Sequence, residues 1–262
     1  MFSNVTNLIN ELTRDPAGTL ITLLYVAVCI LSSLIIHECA HGYAALKCGD
    51  ATAKWMGRLT LDPRKHLDPL GTICMVFLRV GWAKPVPINP RNFRHYRRDY
   101  ILVSLAGIAV NFCIFLLSLL ISALLAKLIW PADFIASAEE KSAFLNIYKY
   151  LPANAIYGGE FAFYEMLTEA PALLYVQRLF LMLAQMNLGL AIFNLLPVPP
   201  LDGYRFLDEF AFHGRLHMNA QTMWMIQIAF LVIVMSGMLN GLLTTVNTAV
   251  FSAFSSLFAA LI

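Results

Sequence analysis

His37 and His41 stand four residues apart, with Glu38 beside the first, in the stretch "LIIHECAHGY" at 34–43. On a helix, side chains at i and i+4 share a face with Cβ atoms about 5–6 Å apart, so both imidazoles can reach one ion. The spacing H-E-x-x-H offers two nitrogen ligands for zinc and a carboxylate placed to take a proton from a water that the metal acidifies. Alone it is a short signal, because paired histidines in apolar sequence also serve as hydrogen-bonded packing.

Two nitrogens leave a catalytic zinc site one protein ligand short. A longer form of the motif needs glycine at 44 and histidine at 47, where this chain has Ala44 and Lys47. No glutamate occurs from 39 to 138, so the candidates are His66, His95, His213, His217 or an aspartate. The best is Asp202 in "NLLPVPPLDG" at 194–203. There Pro197 and Pro199 end an apolar helix and leave carbonyls unpaired, which is tolerable at membrane depth only inside protein. A solvated turn aspartate after a plain helix stop would read the same way, unless it lies level with the histidines.

The elements that must position these groups are set by composition. Of 262 residues, 59% are hydrophobic and 13% charged, against about 45–50% and about 25% in soluble domains. This is an integral membrane protein, and its formal charge of +2 gives no reason to expect nucleic acid as a partner. A bilayer core of roughly 30 Å needs about 20 apolar residues at 1.5 Å each. Four runs qualify, at about 19–46, 101–130, 171–196 and 222–242, followed by a softer apolar stretch at 243–262 that would lie at the interface or span again. Residues 70–89 are apolar but broken by Gly71, Arg79, Gly81, Lys84, Pro85 and Pro87. They suit a short membrane-embedded hairpin within a re-entrant β region of about 57–89 better than a helix. The expected fold is an all-α polytopic bundle of four to six transmembrane helices with that β hairpin, as one domain over 1–262. The 131–170 connection is mixed and partly amphipathic, and too short for a typical globular domain.

Segment 47–100 holds eleven of the eighteen Lys and Arg residues, including Arg91, Arg94, Arg97 and Arg98. By the positive-inside rule it is cytoplasmic, which makes the first and third spans both run inward and brings His37, His41 and Asp202 to one level. His37 lies about 27 Å along the first span from Thr19, near its inner end. Ionisable groups at such depth usually face a protein interior and carry function. The five cysteines, Cys29, Cys39, Cys48, Cys74 and Cys113, form no C-x-x-C pair and read as reduced. The N-terminus lacks the pattern of a removable signal peptide.

With both motifs in hand, the chain resembles the site-2 protease family of intramembrane zinc metalloproteases. The match rests on His37, Glu38 and His41 within a span, and on Asn194, Pro197, Leu201, Asp202 and Gly203. "GWAKPVPINPRNF" at 81–93 and "AGIAVNF" at 106–112 add weaker support, the latter with Ile108 where the family often has proline. The resemblance implies zinc held by His37, His41 and Asp202, Glu38 as catalytic base, and a hairpin before "GWAKPVP" that guides substrate as an extended strand. Asn194 and Asn111 become candidates for orienting substrate or stabilising an oxyanion. The implied partners are a transmembrane protein substrate and the lipid bilayer of a bacterial cell membrane, with the active site toward the cytoplasm. No connection has room for a PDZ domain, and nothing in the sequence speaks to oligomeric state. The rival readings are a membrane metal-ion transporter using the same cluster, a zinc hydrolase acting on soluble substrates, and a scaffold without metal.

Overall fold

The computed structural model describes residue 10 and residues 12–69, 71, 83–130, 168, 170–216 and 218–259. Helices dominate: α1 (Pro16–Lys47), α2 (Thr52–Trp55), α3 (Tyr96–Ile129), α4 (Pro171–Asn194), α5 (Asp202–Ala211), α6 (Ala220–Ser236) and α7 (Asn240–Ala259). Four of them, α1, α3, α4 and Asn240–Phe258 of α7, are long and apolar enough to cross a membrane.

The boundaries follow from local chemistry. Pro16 opens α1 where a missing N–H is harmless, and the Asp15 carboxylate accepts from the Gly18 N–H at 3.0 Å. At the other end Gly49 adopts φ +111°, letting the Asp50 N–H bond back to the Ala45 carbonyl at 2.9 Å. Helix α3 starts earlier than the apolar run does. Asp99 reaches back to the His95 N–H at 2.8 Å and pairs with Arg98, so Arg97 and Arg98 of the basic cluster enter the first turn. Arg97 donates to the carbonyls of Glu209 and Phe210, closing the last turn of α5.

One expectation changes, and another is not shown among the described residues. The run at 222–242 is not one span: α6 stops at Ser236 because Gly237 turns left-handed at φ +78°, and α7 begins at Asn240. In the β region of 57–89, no strand occurs among the described residues, and residues 70 and 72–82, most of the proposed hairpin, lie outside them. What is described is a 3-10 turn at Pro63–Lys65 and one isolated antiparallel bridge, Leu67 to Ala83, beside a Lys84 N–H to His66 carbonyl bond of 2.8 Å. Prolines at 85 and 87 remove the donors that would extend such a ladder. The 131–167 part of the amphipathic connection, with Glu169, also lies outside the described residues.

The chain divides into two compact units, one from 31–112 and 189–244, the other from 2–30, 113–188 and 245–262. All the candidate site residues belong to the first.

Candidate metal centre

Helix α1 presents His37 and His41 on one face, as their spacing requires, and both are buried. Their Nε2 atoms are 3.1 Å apart. Asp202 arrives from the start of α5, with Oδ2 3.1 Å from His37 Nε2 and 3.0 Å from His41 Nε2. The three atoms form a nearly equilateral triangle, close to the ~3.3 Å edge of a tetrahedron whose ligands sit about 2.0–2.1 Å from zinc. Among the described residues this is the one group of His, Cys, Asp or Glu side chains so arranged.

The turn that delivers Asp202 is fixed by packing. A Cβ built on Gly203 would lie 2.7 Å from the Leu196 carbonyl oxygen and closer still to the backbone of Leu195. Only glycine lets the start of α5 seat against the end of α4, which is the physical content of the Asp-Gly pair. Burial, the largest influence on the Asp202 carboxyl, pushes its pKa up; hydrogen bonds and charge from His37 and His41 outweigh it and hold the group well below the usual carboxylate range. Asp202 thus offers an anionic oxygen that could hold a metal. Arg205, one turn on and half exposed, comes within 3.6 Å of its Oδ1.

Helix α3 backs the histidines. His41 Nδ1 donates to the Val103 carbonyl at 2.7 Å, which in the neutral ring leaves Nε2 as the lone-pair nitrogen. A Cβ built on Gly107 would lie 2.6 Å from His37 Nε2 and nearer to His41 Nε2. The glycine keeps open the space onto which both Nε2 atoms face. Donor set, geometry and this cradle all fit a zinc ion.

Glu38 Oε2 accepts the Val86 N–H at 2.8 Å. Val86 lies between Pro85 and Pro87, so its N–H is the one backbone donor in that tripeptide. Gly42, four residues after Glu38, makes room: a Cβ there would be 3.0 Å from Val86 Cγ1. Arg58 holds the same segment through the carbonyls of Lys84 and Pro85. Asp50 pins its far end, accepting from Asn89 N, Asn92 Nδ2 and both donors of Thr52. A cavity of about 620 Å³ opens over the site, lined by Glu38, the three ligand candidates, Val86 and Arg205 among others.

Asn194 stands on that cavity wall, with Nδ2 donating to the Leu190 carbonyl in its own helix. Asn111 does not reach the cavity: it is 0% exposed and lies 3.2 Å from His37 Nδ1, behind the ring. Of the other histidines, His95 and His213 are exposed and His217 lies outside the described residues. His66 is 1% exposed, its Nε2 donating to the Thr60 carbonyl at 2.7 Å. Cys29, Cys39, Cys48 and Cys113 are free thiols. The sequence reading missed Val86, Val103 and Gly107. Only the close spacing of Gly107 and Asn111 in "AGIAVNF", which is helical, hinted at a shared face.

The chain matches peptidase family M50 across residues 25–236. It is 37% identical over 185 residues to the protein named "Putative zinc metalloprotease YwhC" of Bacillus subtilis, covering 71% of this chain and 68% of that one. It is 28% identical to "Putative zinc metalloprotease Rip2" of Mycobacterium tuberculosis over 68% of this chain and 54% of the relative. A Rip2 of Mycolicibacterium smegmatis is 27% identical over 79% and 64%. The chain thus spans little more than half of the M. tuberculosis relative. No solved structure matches this chain. With a His, His and Asp cluster that could hold a metal and four helices able to cross a bilayer, the chain belongs to peptidase family M50, the site-2 protease family, and is a zinc metalloprotease of the membrane.

Proposed function

We propose that the chain hydrolyses peptide bonds of membrane-spanning proteins, with zinc on His37, His41 and Asp202 and with Glu38 as general base. The observation that carries this reading is the triangle of ligand atoms with edges of 3.0–3.1 Å, assembled from residues 161 apart in sequence. Zinc held there supplies a Lewis acid that polarises a scissile carbonyl and brings the pKa of water toward about 7. Glu38 Oε2 stays on the Val86 N–H, while Oε1 takes a proton from the attacking water and returns it to the leaving amine. A substrate helix must unwind before its amides become accessible, and the cavity beside the extended 83–89 segment would receive it in that form. The crowding of Lys and Arg in 47–100 supports a site facing the cytoplasm.

The purified full chain tests this directly. Wild type should contain stoichiometric zinc and cut a reporter with a transmembrane segment faster than a soluble peptide. Glu38→Gln should keep its zinc and lose about 10²–10⁴ in turnover, and Asp202→Ala should lose zinc. Undiminished turnover by Glu38→Gln would end the base assignment, and equal cleavage of the soluble peptide would end the substrate class. For orientation, a Lys54→Cys variant should react with an impermeant maleimide only after cells are lysed; labelling of intact cells reverses the topology.

A further inference from the structure

The two histidines of the centre are held from behind in different ways. His41 Nδ1 meets a backbone carbonyl, that of Val103, at 2.7 Å. A carbonyl can only accept, so the neutral ring carries its proton on Nδ1 and presents a lone pair at Nε2. His37 Nδ1 meets a side-chain amide instead, that of Asn111 at 3.2 Å. An amide offers a donor on one arm and an acceptor on the other.

We infer that Asn111 is a positioning residue that selects the His37 tautomer and thereby sets how tightly the centre holds its metal, an inference that rests on His37 being a ligand. With Nδ2 toward the ring, Nδ1 must accept, the proton sits on Nε2, and Nε2 donates to Asp202 Oδ2 at 3.1 Å. That ring has no lone pair to give an ion. A half-turn of the amide about its Cβ–Cγ bond puts Oδ1 against Nδ1, moves the proton from Nε2 to Nδ1, and frees Nε2. No net charge is gained or lost. Oδ1 is buried and makes no hydrogen bond among the described residues, so the turn breaks none on that arm. Asn111 follows Gly107 by four residues on α3, so one helix face both opens space beside the ligand nitrogens and grips the back of the ring.

The test is zinc affinity, read by competition with a chelator on the purified full chain, together with the visible absorption of the cobalt-loaded protein. Asn111→Leu, close in size but without an acceptor, should weaken zinc binding about 10–100-fold and alter the cobalt bands. Asn111→Ala, which adds no bulk, should do the same even where the leucine variant folds poorly. Asn111→Asp keeps an acceptor for Nδ1–H and should stay within a few-fold of wild type in affinity and spectrum. Leucine and alanine variants that bind zinc like wild type would overturn the inference, as would an aspartate variant as impaired as they are. His37→Ala with undiminished affinity would instead remove His37 from the ligand set, a separate failure.

Discussion

In the unit of 31–112 and 189–244, His37, His41 and Asp202 turn nitrogen and oxygen toward one point, and second groups hold each imidazole in place. In the unit of 2–30, 113–188 and 245–262, buried polar side chains are as plentiful but are spread out. Arg178 donates to Thr22 Oγ1 at 2.8 Å and lies over the Tyr25 ring, Tyr25 donates to the Tyr175 carbonyl, and Gln177 donates to the Ser122 carbonyl. Each bond joins one helix to another, as polar groups between membrane helices commonly do. The difference teaches that buried polarity within a bilayer does not itself mark a site. Convergence of ligand atoms on one point, with a glycine keeping that point open, does.

The sharpest way to break the contrast is to fill the cradle. Gly107→Ala puts a methyl group 2.6 Å from His37 Nε2, too close for either imidazole to stay in place. Zinc content should fall below stoichiometric, and cleavage should drop about 10²-fold, the scale of a 1 Å misplacement. Gly241→Ala on α7, where an added Cβ meets nothing within 4 Å, is the control and should leave both unchanged. A Gly107→Ala protein with full zinc and activity would show that the space is not needed.

Gly203→Ala should come next. Its Cβ would run into the backbone of Leu195 and Leu196, which cannot yield as a flexible side chain would. Helix α5 must shift and carry Asp202 with it, at a cost of roughly 1–3 kcal/mol in stability from overpacking. Because the Asp202 carboxylate is displaced but not removed, zinc should bind more weakly rather than be abolished, and a chelator titration would separate this variant from Gly107→Ala. Wild-type affinity in Gly203→Ala would mean that the Asp-Gly pair is not what places the third ligand.

The cluster could be read from the sequence because the three residues that could hold a metal are letters. His37 and His41 follow from helix periodicity, and Asp202 follows from the level at which a proline-stopped helix ends. The rest lies in groups that no letter announces. The Val86 N–H and the Val103 carbonyl are backbone, and the role of Gly107 depends on which helix crosses behind it. His66, in a charged stretch, reads as a surface residue, yet its ring and carbonyl tie the 57–69 turn to the returning chain at Lys84. Hydropathy ran through Gly237 because it does not register a left-handed φ, so α6 and the start of α7 merged into one expected span.

A smaller effect, on stability, is expected at Asp50, which ties the 83–89 segment to the end of α1. Burial, the largest influence on its carboxyl, pushes the pKa up, but hydrogen bonds from Thr52, Asn89 and Asn92 outweigh it and the net shift is downward. A folded pKa below the unfolded value of about 3.9 means that the stabilisation is complete above that value and is lost as pH falls through the folded pKa. Thermal melts in detergent should therefore show the wild type losing stability below about pH 4. Asp50→Asn should be less stable at pH 7 by about 1–3 kcal/mol and less sensitive to acid. Equal melting of the two proteins at pH 7 would show that this staple does not matter.

The smallest effect probes the second unit. Tyr25→Phe removes one interhelical bond, to the Tyr175 carbonyl at 3.2 Å, and keeps the aromatic face under Arg178. Such bonds in membrane proteins average about 0.6 kcal/mol, so the melting temperature should fall slightly. Zinc content and turnover per folded molecule should not change, because the hydroxyl bonds to the Tyr175 carbonyl within its own unit. A loss of zinc in Tyr25→Phe would mean that this bond does more than stabilise the helices it joins.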